Sequence, residues 1–133
     1  MPTFLNKYSA QTYALMRIVA GFLFLFHGSQ KLVGFPAMTQ QPPPWIHYGA
    51  GSIELVGGLL VMVGLFTGWA AFISSGEMAA AYWIAHGTKS ALPLLNSGEL
   101  AALYCFVFLC IAAHGAGIWS VDAARGAASP RSM

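Results

Sequence analysis

The sequence predicts an all-α integral membrane protein, a bundle of four transmembrane helices with both termini on the same side. Three observations carry that expectation. Of 133 residues, 57% are hydrophobic and only 8% charged, a composition foreign to soluble domains. The apolar residues gather in runs near the 20 or so that a spanning helix needs. Clusters of Pro, Gly and Asn separate those runs.

The first helix is expected over residues 13–33, with Arg17 near its start and His27 and Lys31 near its end. No small-x-small cleavage site follows its apolar centre, so it reads as a mature helix rather than a signal peptide. The stretch "GFPAMTQQPPPWIHYG" follows, in which Pro42, Pro43 and Pro44 cannot continue a helix and Trp45 and Tyr48 suit a membrane interface. It is expected to be an exposed loop or short surface element.

From residue 49 to 86 the chain is almost continuously apolar. As one helix this segment would be about 57 Å long, far beyond a hydrocarbon core of about 30 Å. It must fold back, and Gly68 in "LFTGW" is the expected turn, giving helices over 49–67 and 69–86. Pro93 and Asn96 mark the next loop, Ser97 is a plausible N-cap, and a fourth helix is expected over 98–118. Residues 1–126 make one domain, and 127–133 are expected to be a disordered tail. Lys7, Arg17, Arg125 and Arg131 outnumber Lys31 and Lys89 across the two sides, which places both termini in the cytoplasm.

At 100° per residue, Arg17, Gly21, Phe24, His27, Gly28 and Lys31 share one stripe of the first helix. His47, Gly51, Glu54, Gly57 and Gly58 share one on the second. Small residues along both allow close approach. Counting from helix centres sets His27 level with Glu54, and Lys31 level with His86 and Glu99. A polar pocket of His27, Lys31, Glu54, Glu99 and His86 toward the outer face follows. On the inner side Arg17 and Glu77 are the expected ion pair. An unpaired carboxylate in lipid costs about 2.5–3.5 kcal/mol, so Glu54 and Glu77 must face inward. The bland alternatives are snorkelling for Lys31 and Lys89 and satisfied interface or core positions for His47 and His114.

The net charge of +2 offers no basic surface for nucleic acid. Cys105 and Cys110 lie five apart and project about 140° from each other on a helix, so they read as packing residues rather than a disulfide, metal or redox pair. There is no haem-attachment motif and no Gly-rich nucleotide loop.

Three stretches together, "RIVAGFLFLFHGSQKLVG", "GSIELVGGLLVMVGLFTGWAAFISSGEMAAAYWIAHG" and "NSGELAALYCFVFLCIAAHGAGIWSVD", resemble the DoxX family of small membrane proteins over residues 13 to 122. The elements that carry the resemblance are Arg17 with His27-Gly28-x-x-Lys31, Glu54 with Gly57-Gly58, Glu99, and Gly115-x-Gly117 before Ser120-x-Asp122. The resemblance implies four transmembrane helices in a bacterial inner membrane. It also implies an association with redox chemistry, quinone-linked or thiol- and sulfur-linked, since the family takes its name from a subunit of a thiosulfate:quinone oxidoreductase. Relatives that assemble receptors make a non-catalytic scaffold the second reading, and Glu77 at mid-membrane motivates a third, a small-solute or proton pathway. With no self-contained catalytic motif, electron transfer would need a partner redox subunit, a quinone or a haem. A quinone asks only for an apolar slot with one or two polar groups. A b-type haem asks for facing histidines, and His27 and His86 differ by roughly 7 Å in depth. The surplus of small-residue faces also admits a homodimer.

Overall fold

The computed structural model describes residues 3–126; the tail expected over 127–133 lies outside them. Four long helices dominate: α1 (Ser9–Leu32), α2 (Pro44–Val63), α3 (Thr67–Ala85) and α4 (Glu99–His114). No strand occurs among the described residues. Two helices, Asn6–Leu32 and Pro44–Val63, are long and apolar enough to cross a membrane.

Each boundary has a local cause. Helix α1 stops where Gly34, at φ +78°, turns its N–H back to the Ser29 carbonyl. Helix α2 begins five residues earlier than expected, because Pro44 occupies its first position, where a missing N–H costs nothing. Its middle, Ile53–Gly57, is a π-helical turn.

The reversal between α2 and α3 falls at residues 64–66 rather than at Gly68. Gly64 has φ +74°, and a side chain there would overlap Ser120; Gly68 is helical and needs no special conformation. Helix α4 ends four residues short of expectation, where Gly115 (φ +90°) and Gly117 (φ +67°) break it. Its N-cap is Gly98, while Ser97 is left-handed at φ 60°.

Neighbouring long helices run antiparallel. Helices α1 and α2 meet almost backbone to backbone: a Cβ on Gly21 would sit 2.5 Å from Met62 N, and one on Gly58 2.5 Å from Leu25 N. Only glycine permits that approach. Helices α3 and α4 are tied by Ser75 Oγ donating to the Cys105 carbonyl at 2.7 Å. Phe24 joins α1 to α4 through Phe108 and Tyr104, with ring centroids 4.6 and 5.4 Å away. These aromatics, with Val61, Ala71, Met78 and Ile111, form the core. The start of α1 and the segment after α4 therefore lie at one end of the molecule, and the 86–98 loop lies at the other.

Candidate functional site

At the loop end, Lys31 Nζ lies 2.6 Å from Glu54 Oε2, the one side-chain ion pair among the described residues. Glu54 is 3% exposed. It is supplied by the π turn of α2, and Lys31 by the last turn of α1, which Gly51 packs directly against. The pair forms one wall of a cavity of about 370 Å³ between α2 and α3. Trp45, Ile46 and Ile53 of α2 and Ala80, Ala81 and Ile84 of α3 make it apolar, and Glu77 completes its polar side. Glu77 Oε2 is buried and has no hydrogen-bond partner. Lys31 is thus matched to Glu54, and Glu77 faces the same cavity without a bonded partner.

This arrangement rearranges the expected pairs. Lys31 meets Glu54, not Glu99, which is exposed in the first turn of α4, where a carboxylate complements the positive end of the helix dipole. The reason is the register of α1 on α2: Gly21 packs on Met62 and Gly28 on Leu55, which brings Glu54 within one helical turn of Lys31. His27 lies against Tyr104, ring centroids 6.0 Å apart, rather than at Glu54. His86 Nδ1 sits 2.9 Å from the Asn96 carbonyl. The structure holds the two histidines in separate settings.

Arg17 and Glu77 do not pair. Arg17 is fully buried, and its guanidinium donates to four backbone carbonyls: Val61 and Met62 at 2.8 Å each, Ile118 at 3.2 Å and Trp119 at 2.7 Å. The first two are among the last carbonyls at the negative end of α2, where Val61 also accepts from the Gly64 N–H at 3.2 Å. The others belong to the irregular chain after Gly115, whose carbonyls have no regular helical partner. A planar five-donor fork fits that duty better than a carboxylate salt bridge would. Beside it, Asp122 caps α3: its oxygens accept from the Phe66 and Thr67 N–H groups at 3.1 Å and from the Thr67 hydroxyl at 3.0 Å.

Trp45, Asn96 and Asp122 escaped sequence reasoning as site or framework residues. Trp45, expected as an interface residue, also lines the cavity. Asn96, 2% exposed, looked like a loop marker. It is a hub, donating to the Tyr82 hydroxyl and the Ser90 carbonyl and accepting from the Gly98 N–H. Asp122 had a signal, an acidic residue two after a Ser following the last apolar run, but nothing local named its target 55 residues away. No group of three or more His, Cys, Asp or Glu side chains able to hold a metal occurs among the described residues.

Comparison with known proteins adds the following. The family described as DoxX matches residues 12–87. A Haemophilus influenzae protein described as "Uncharacterized protein" is 41% identical over 126 residues, 89% of this chain and 93% of its own. A Bacillus subtilis protein named "Putative oxidoreductase CatD" is 36% identical over 58 residues, 40% of this chain and 43% of its own. No solved structure gives a significant match.

Proposed function

The chain belongs to the DoxX family of membrane proteins, and from that premise we propose that it serves membrane redox chemistry by holding a quinone-type ligand in the Lys31–Glu54–Glu77 cavity. In this reading all four long helices span a bacterial inner membrane and both termini are cytoplasmic. The redox association draws on the family and on the name of the Bacillus subtilis relative.

The observation that carries the reading is the orphan Glu77 oxygen beside the Lys31–Glu54 pair, on the wall of an otherwise apolar cavity. A buried polar group without a partner is costly in a fold that needs nothing more from it. A ligand that supplies the partner removes the cost. The 370 Å³ cavity lies within the range of small-molecule sites. Lys31 offers a donor to a ligand carbonyl, and Glu77 can hold or release a proton at the same place. Electrons would come from, or go to, a partner redox subunit, because the chain carries no redox-spaced cysteines.

The test is thermal unfolding of the purified protein in mild detergent with and without added quinone. The reading expects a rise in Tm that disappears in Glu77→Leu. An unchanged Tm in the parent protein overturns it.

A second reading, a non-catalytic scaffold, is favoured by one observation: the same ion pair joins α1 to α2 and sets their register. Replacing His27 by Gln and Lys31 by Met separates the two. The scaffold reading expects function to survive wherever the fold does, and the ligand reading expects it to be lost.

A further inference from the structure

The Lys31 cavity is not alone on its seam. A second cavity of about 310 Å³ lies between the same two helices, nearer their connecting turn, walled by Val56, Gly57 and Leu60 of α2 and by Ala70 and Ile73 of α3. Ile53 lines both. The π turn Ile53–Gly57 contributes to each: Glu54 to the first, Val56 and Gly57 to the second. Small residues keep the seam open. Gly57, with Ser74 packed against it, and Ala70 line one half, and Ala80 and Ala81 line the other. The charged groups all lie at one end, and the far half is lined by apolar side chains with only the hydroxyl residues Ser52 and Ser74 among them.

We propose that these two cavities are one elongated site and that its occupant is an amphiphile with a compact uncharged head in the Lys31–Glu54–Glu77 half and one long hydrocarbon chain in the half beyond Ile53. The inference rests on the proposal that the first cavity binds a quinone-type ligand, and it narrows that ligand from any compound with such a head to membrane-dissolved, long-chain ones. Two things decide the class. From Ala70 to Ala85 the seam runs roughly 22 Å along α3, longer than the ~15 Å of half a hydrocarbon core, and a ring-sized head would leave most of it empty. The Lys31 ammonium is already matched by Glu54, so no free positive charge remains at the head end for a fatty acid or an anionic phospholipid. A thiol or sulfur oxyanion would leave the apolar half unfilled.

The experiment measures binding of a long-chain prenylated quinone and a tailless quinone to the full-length protein in nanodiscs made of one zwitterionic lipid. Comparisons are made between variants in identical discs, so partitioning of the ligand into lipid cancels. Ile73→Trp fills the second cavity from a residue already 53% exposed, which keeps the substitution from disturbing the core. Val19→Trp, on an exposed position of α1 away from the seam, is the control. The expected result is at least about a tenfold loss of long-chain affinity in Ile73→Trp, the worth of one or two buried methylenes, with the tailless quinone unaffected and Val19→Trp like the parent. Equal effects on long-chain and tailless quinone, or none on either, overturn the chain site while leaving the ligand reading standing. Competition by palmitate as strong as by the prenylated quinone overturns the head selectivity. Binding of neither quinone to the parent protein overturns the ligand reading and this inference with it.

Discussion

Lys31 and Glu54 are a matched pair whose worth appears only when one is removed. Lys31→Met strands a nearly buried carboxylate, for which a loss of about 3–5 kcal/mol is expected. Adding Glu54→Leu should restore much of the stability, since an apolar pair of similar volume avoids the desolvation cost. Thermal unfolding of the two singles and the double tests this, and a double as unstable as the sum of the singles contradicts it. Arg17 obeys a different logic. Arg17→Met takes a donor from four carbonyls, and Arg17→Lys cannot reach both pairs with one ammonium, so both lose stability, Met more than Lys. In a double-mutant cycle Arg17 and Glu77 should show coupling near zero, because they share no partner. The sequence made every one of these residues conspicuous, since a charge in an apolar run must be satisfied. It left their partners open: a partner depends on helix offset, and a carbonyl, which every residue possesses, leaves no mark in a sequence.

Helix termini account for most of the remaining difference between expectation and structure. Two glycines, Gly64 and Gly68, stood within the same apolar stretch. The choice between them was made by Ser120 packing on the bare Gly64 backbone and by Asp122 capping α3, contacts that span more than 50 residues. Burial pushes the Asp122 carboxyl toward protonation, but hydrogen bonds from the Thr67 and Phe66 N–H groups and the Thr67 hydroxyl, with Arg125 nearby, more than offset it and hold its pKa below the usual value. A carboxylate depressed in the fold stabilises above its unfolded pKa and loses that contribution as pH falls through the folded one. The cap should therefore be intact above about pH 4 and weaken below it. Asp122→Ala should cost about 1 kcal/mol at neutral pH, with the difference from the parent vanishing in acid. Unfolding midpoints across pH check this, and a gap that persists at low pH contradicts it. Gly58→Val should cost more than Asp122→Ala, because the α1/α2 approach has no room for a side chain.

Across the molecule, two tightly packed helix pairs, α1 with α2 and α3 with α4, enclose a looser seam between α2 and α3, and both cavities lie on it. Helical content and the number of long helices were legible from hydropathy and breakers alone. The seam was not, because its width comes from small residues on two helices and a π turn whose residues carry no local signature. The proposed topology predicts that, with Cys105 and Cys110 replaced, Lys89→Cys is labelled from outside intact cells by a membrane-impermeant maleimide and Thr3→Cys is not. Labelling of both, or of Thr3→Cys alone, contradicts it. The central claim is that Glu77, with Lys31 and Glu54, forms a ligand site, and equilibrium quinone binding to the parent protein and to Glu77→Leu of equal thermal stability tests it most directly. The account predicts saturable one-to-one binding by the parent and a loss of at least about tenfold in the variant; equal affinity in the two proteins would contradict it.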